Sequence, residues 1–172
     1  AVRKLINDGH NLIVPCRDKE RVSEVLNTLS KDISTTIEVK KQISLPIIDL
    51  SDLQSIENYF SQIDIEQNSI DCLILNAGLQ YTGADKPKLS KQDIELTFAV
   101  NHLSHYYLVG KLVPKFINSN KSRIIVTSSE VHNPQTSGGR IGKSANLGDL
   151  IGLQSGKSFL MLDGSSVFNA DK

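Results

Sequence analysis

An acidic residue leads into an unbroken apolar run and an abrupt turn at Asp71-Cys72-Leu73-Ile74-Leu75-Asn76-Ala77-Gly78. A short run that is apolar at every position and closed by a turn signal suits a parallel strand covered on both faces. Open α/β sheets bind ligands outside the carboxyl ends of their strands, where Asn76, Ala77 and Gly78 fall. Gly78 removes a side chain so that another group can approach the backbone, and Asn76 supplies a short amide. An ordinary strand-to-loop turn uses the same residues, so the stretch acquires meaning only from its neighbours.

Those neighbours alternate strand with helix. Asn11–Cys16 reads as a strand with Pro15 at its end, where a missing ladder donor does least harm. The preceding Ala1–Gly9 reads as the end of an amphipathic helix capped by Gly9. Asp18 can cap the next helix, whose apolar stripe is Val22, Val25, Leu26 and Leu29. Ser34–Ser44 is ambiguous, and Leu45–Ile48 is a short strand ending at Asp49-Leu50. Ser51 and Gln54 form a capping box ahead of a helix carrying Leu53, Ile56, Phe60 and Ile63. Leu79–Leu89 is a loop. Ser90 opens a long helix through Asn101, which Pro114 should bend or end early. Ser122–Thr127 is the last strand, and from Glu130 onward periodicity disappears. The pattern predicts an α/β fold, a Rossmann-like doubly wound parallel sheet, as a single domain over 1–172 with a long irregular segment from about 130 to 172.

Composition narrows the partners. Lys+Arg and Asp+Glu both number 19, which argues against nucleic acid or an anionic membrane as the main partner. No apolar run approaches the length of a bilayer span. Cys16 and Cys72 lie in strand-like runs and read as buried thiols of a reducing, cytoplasmic protein. His102 and His105 are three apart on one helix but lack a third ligand at metal spacing, so no metal is expected.

Several side chains fall where chemistry could use them. Arg17 follows a strand end, where a guanidinium could grip a 2′-phosphate through two parallel donors, or could simply be solvated. Asp49 could accept from an adenine amino group or cap the following helix. Asn101 is an amide amid apolar residues and must find a partner, as a surface side chain or against nearby backbone. Ser129 should project into the same crevice as Asn76; it could cap, or donate to a substrate oxygen. Tyr107 and Lys111 have Tyr-x-x-x-Lys spacing but lie upstream of Ser129, and read as a packing tyrosine with a snorkelling lysine. Gly138-Gly139-Arg140-Ile141-Gly142 follows no strand and is not a phosphate loop.

Taken in order, Arg17, Asp49-Leu50, Asn76-Ala77-Gly78, Asn101 and Ser128-Ser129 resemble the short-chain dehydrogenase/reductase family. The resemblance implies that Asn76-Ala77-Gly78 flanks the cofactor. It implies that Asn101 serves a proton relay through its backbone and a bound water, and that Ser129 orients the substrate carbonyl. Thr127 falls with Arg17, Asp49, Leu50, Asn76, Ala77 and Gly78 among the cofactor-side residues. NADP(H) is the expected cofactor, and the expected partner is a small-molecule substrate, with a homo-oligomer open to the full-length protein.

Within the family, Asn101-His102-Leu103-x-His105, Ala145–Leu150 and Phe168-x-x-x-Lys172 are similar to the light-dependent protochlorophyllide reductase branch. That likeness would make a location peripheral to photosynthetic membranes reasonable. Leu79–Gly83 and Ser104 depart from it and leave open a retinol-dehydrogenase-like alcohol or carbonyl oxidoreductase. A non-catalytic dinucleotide-sensing or scaffold protein is the alternative of another class. The resemblance also implies that the Gly-rich turn and the catalytic Tyr-x-x-x-Lys lie outside these residues. The expectation is therefore an inactive, poorly stable internal fragment whose sheet lacks its first, middle strand.

Overall fold

The computed structural model describes residues 1–32, 41–62, 70–80, 88–116 and 121–138. Ile63, the segment 33–40, the loop residues 81–87, Arg140–Gly142, Ala145–Leu150 and Phe168–Lys172 lie outside the described residues. The contacts divide the chain into two compact units, Ala1–Leu50 with Gln54–Ile63, and Ser51–Leu53 with Asp64–Lys172.

The first unit begins with helix α1, Val2–Asn7. Gly9 takes a φ of 86° just beyond it, a conformation that glycine enters without steric cost. Its N–H donates to the Ile6 carbonyl and that of His10 to Leu5, at 2.9 and 3.0 Å, satisfying the last carbonyls of the helix as a Schellman turn does. Strand β1, Leu12–Ile13, pairs in parallel with β2, Ile43–Ser44. The regular strand is shorter than Asn11–Cys16. The pairing nonetheless resumes beyond Pro15 at a bridge between Cys16 and Ile47, because only the proline itself lacks a donor. Helix α2, Lys19–Asp32, is capped as expected: the Arg21 N–H donates to Asp18 Oδ1 at 2.7 Å. Val25 and Leu29 pack with Val2, Ile6, Leu12 and Ile43 in one cluster. Leu26, expected on that stripe, is instead exposed, since it is one residue, about 100°, around the helix from Val25. Helix α3, Leu53–Gln62, buries Ile56 completely and Phe60 nearly so.

In the second unit β3, Cys72–Leu75, and β4, Arg123–Val126, pair in parallel with Leu75 opposite Val126. Among the described residues the strands thus form two two-stranded sheets. The expected cover on both faces of β3 is not met. Leu75 is buried, but Ile74 is 50% exposed, Cys72 is exposed, and β4 is exposed along its length. Of the two thiols only Cys16 is buried, and that burial pushes its pKa up. Periodicity identifies a strand; it does not supply the layer that covers it.

The long helix begins later than Ser90. Ser90 Oγ instead accepts from the Gln92 and Ile94 N–H groups, at 3.3 and 3.2 Å, in a tight turn where Asp93 has a φ of 59°. Gln92 in turn accepts from the Leu53 N–H and donates to Asp52 Oδ1. Helix α4, Leu96–Phe98, starts at a Glu95 cap, widens into a π-helical turn at Ala99–Leu103, and continues as α5, Ser104–Phe116. The helix is still regular two residues past Pro114, at Phe116, the last residue described there.

Candidate active site

The carboxyl ends of β3 and β4 stand side by side because the two strands run parallel in register. The ladder continues one step beyond β4, with the Thr127 N–H donating to the Leu75 carbonyl at 2.9 Å. Thr127 Oγ1 then donates to Asn76 Oδ1 at 2.9 Å, which joins the two strand tips through side chains. Ser129 follows two residues on, and its carbonyl is bonded to the His132 ring of the short 3₁₀ turn Glu130–His132.

The Asn101 amide is exposed, as a surface side chain would be, and yet bonds to backbone. Its Oδ1 accepts from the Leu79 N–H and its Nδ2 donates to the Leu79 carbonyl, both at 2.8 Å. This two-way clamp ties the π turn to the residue after Gly78. A Cβ built on Gly78 would lie 3.5 Å from Asn101 Oδ1, an ordinary contact. The group that approaches Gly78 is thus the Asn101 amide, and an alanine would fit against it. Asn101 is exposed rather than sunk in an apolar face, because the π turn carries it outward while Ala99, Val100, Ser104 and His105 turn inward. Burial holds the His105 imidazole below the ordinary histidine pKa, with His102 adding to the effect. His102 instead packs against the Phe98 ring. Lys111 Nζ lies 5.3 Å from the centre of the Tyr107 ring, a cation–π contact in keeping with the packing role read from the sequence.

Arg17, Asp49 and Leu50 belong to the first unit. Arg17 is exposed, and its Nε donates to Asp18 Oδ2 at 2.9 Å. The Asp18 carboxyl is held below the usual carboxylate range, first by the Arg21 N–H and further by Arg17. The Asp49 N–H donates to Ser55 Oγ of α3 at 3.0 Å. The residues that sequence reasoning missed are Leu79, whose backbone receives the clamp, and Glu95. An acidic residue immediately before the largely apolar stretch Leu96–Val100 was the available signal for Glu95.

Asn76, Ala77, Gly78, Thr127, Ser128 and Ser129 are all exposed. They offer main-chain donors and acceptors, with small side chains, across two adjacent strand ends. That surface fits a flat polar ring and a ribose, which need hydrogen bonds and close backbone approach. Among the described residues no group of three or more His, Cys, Asp or Glu side chains could hold a metal ion. No described helix is long and apolar enough to cross a membrane.

Residues 1–139 match the family described as short chain dehydrogenase, and the chain belongs to that family. It is 30% identical to the chloroplastic protochlorophyllide reductase of Chlamydomonas reinhardtii over 177 aligned residues, covering 100% of this chain and 43% of that protein. It is 33% identical over 135 residues to the WW domain-containing oxidoreductase of Drosophila melanogaster, covering 77% of this chain and 30% of that one. The chain thus spans less than half the length of these relatives. Among solved structures, serine dehydrogenase from Escherichia coli superposes with a TM-score of 0.58 at 25% identity, covering 81% of this chain and 60% of the other. A closed form of serine dehydrogenase complexed with NADP+ gives a TM-score of 0.57, also at 25% identity, over 81% of this chain and 52% of the other. The fold is a partial Rossmann-like α/β fold, and the family is one of oxidoreductases using a nicotinamide dinucleotide.

Proposed function

We propose that the full-length protein is an NADPH-dependent reductase acting on protochlorophyllide or a similarly large substrate. The observation that carries this reading is the bonded pair of strand tips, Asn76 with Thr127, with Ser129 two residues beyond. The reduced nicotinamide, when bound, supplies the hydride. Asn76, Ala77, Gly78 and Thr127 hold the nicotinamide end through backbone and short side chains. Ser129 Oγ would position the reacting group and, where that group is a carbonyl, would donate to its oxygen as the hydride adds to the carbon. The Asn101 side chain is committed to Leu79, which leaves its main chain for the water of a proton relay. No tyrosine follows Tyr107 in the sequence, so the proton donor is proposed to lie beyond these residues, and this chain by itself to be inactive. Arg17 takes the 2′-phosphate, with Asp49 and Leu50 beside the adenine; the NADP+ complex of serine dehydrogenase supports that preference.

A second reading, an alcohol or carbonyl oxidoreductase of the retinol-dehydrogenase kind, draws on the departures at Leu79–Gly83 and Ser104 and on the likeness to an oxidoreductase outside the pigment branch. The test is NADPH oxidation by the full-length protein, assayed with protochlorophyllide in light and in darkness and with retinal. Light-dependent turnover of the pigment supports the first reading and dark turnover of retinal the second. Dinucleotide binding without turnover of either would replace both with the sensor. In the same assay Arg17→Glu should raise the KM for NADPH by about 10- to 100-fold, the loss of a charge-assisted pair. An unchanged KM would contradict the role of Arg17.

A further inference from the structure

We infer that Glu95 is a positioning residue: its buried carboxylate fixes the start of the helix that presents Asn101, and thereby sets the clamp between Asn101 and Leu79. Glu95 is 1% exposed, which for a carboxylate demands compensating donors. Two of them are N–H groups of the first helical turn. Thr97 N donates to Oε1 at 2.9 Å and Phe98 N to Oε2 at 2.7 Å, both charge-assisted. The same residue ends the preceding turn, where Leu89 bridges Glu95 and the Leu96 N–H donates to the Lys88 carbonyl at 2.8 Å. Glu95 therefore belongs to both, bridging the turn through its backbone and capping the helix through its side chain.

The helix beyond Glu95 makes this placement consequential. The Ala99 N–H closes an ordinary helical turn on the Glu95 carbonyl at 2.8 Å. Five residues later the Ser104 N–H reaches back to Ala99, the wider spacing of a π turn. A π turn inside an α-helix holds one extra residue, and it can migrate along the helix if neither end is pinned. Migration by one residue would swing Asn101 by about 100° around the axis, away from Leu79. Glu95 pins the amino-terminal end. Where the reductase reading holds, the same restraint places the Asn101 main chain for the proton relay.

Hydrogen exchange on the full-length protein tests this, comparing the wild type with Glu95→Ala and the isosteric Glu95→Gln. Ile56→Val, a large-to-small change at a buried position of the first unit, serves as a control for a general loss of stability. The Leu79 N–H should exchange about tenfold faster in Glu95→Ala and by a smaller factor in Glu95→Gln. The Thr127 N–H should keep its protection, and Ile56→Val should leave both unchanged relative to global unfolding. In turnover, kcat should fall about tenfold while the KM for NADPH stays within about twofold. Leu79 protection that is unchanged, or lost only in step with that of Thr127, would overturn the inference. A wild type that does not turn over NADPH would refute the reductase reading, and Leu79 exchange would still decide the role of Glu95.

Discussion

The two strand pairs share a parallel hydrogen-bond pattern and differ in what holds them in place. β1 and β2 pair over only two residues each, yet their unit packs Ile6 and Leu29 in one cluster and also buries Ile48, Ile56 and Phe60. β3 and β4 pair over four residues in unbroken register, yet Val126 is 62% exposed and only Leu75 of the eight is buried. At the tips of the second pair, side chains bonded to side chains and backbone take over from burial: Thr127 with Asn76, and Asn101 with Leu79. On the proposed reading these polar groups meet a ligand and cannot be covered by their own chain. Their geometry has to be set by hydrogen bonds, which are directional, rather than by apolar contact, which is not.

That contrast can be broken or sharpened by substitution. Where the proposed reaction is reduction of a carbonyl, Ser129→Ala in the full-length protein should lower kcat by about 100- to 1,000-fold, the usual loss for one donor to a developing oxyanion. A loss confined to KM would remove Ser129 from the chemistry. Ile56→Ala should cost about 2–5 kcal/mol in denaturant unfolding, whereas Ile125→Ala, on the open strand, should cost less than about 1 kcal/mol. Equal losses would erase the distinction between the packed unit and the open pair. Thr127→Val should cost about 0.5–1.5 kcal/mol for the bond to Asn76. A stability unchanged by that substitution would mean the strand tips are held by the ladder alone.

The smallest expected effect is one of pH. His105 has its pKa lowered in the folded state, so the unfolded chain binds its proton more readily. Its contribution to stability is present above the ordinary value of 6.5 and is lost as the pH falls from there toward the depressed folded pKa. The melting temperature should therefore drop on acidification through that window, and His105→Leu should reduce the drop. An identical pH profile in the variant would place the titration elsewhere.

Much of this architecture is visible in the residues themselves. The Asp18 cap, the Gly9 turn and the paired strands ending at Asn76 and Thr127 each follow from a local signal with one physical meaning. The start of the long helix does not. Ser90 with Asp93 three residues on resembles a capping serine, but the chain uses its hydroxyl to close a tight turn through Asp93 and leaves the capping to Glu95. The π turn at Ala99–Leu103 leaves no mark in composition, because it differs from an α turn by a single residue of spacing. The openness of Cys72 and Leu26 was equally hidden: apolar periodicity shows which residues seek cover and not which ones find it. Of the proposed site, the residue types were legible; the clamp that binds Asn101 to Leu79 was not, since its partner is backbone.

The most direct measurement is a crystal structure of the full-length protein with NADP+ bound. The expected result is a nicotinamide ribose hydrogen-bonded to the Asn76–Gly78 backbone, with Ser129 Oγ facing the same side of the strand tips. A dinucleotide bound away from the carboxyl ends of β3 and β4, or a Ser129 hydroxyl turned from it, would contradict the assignment.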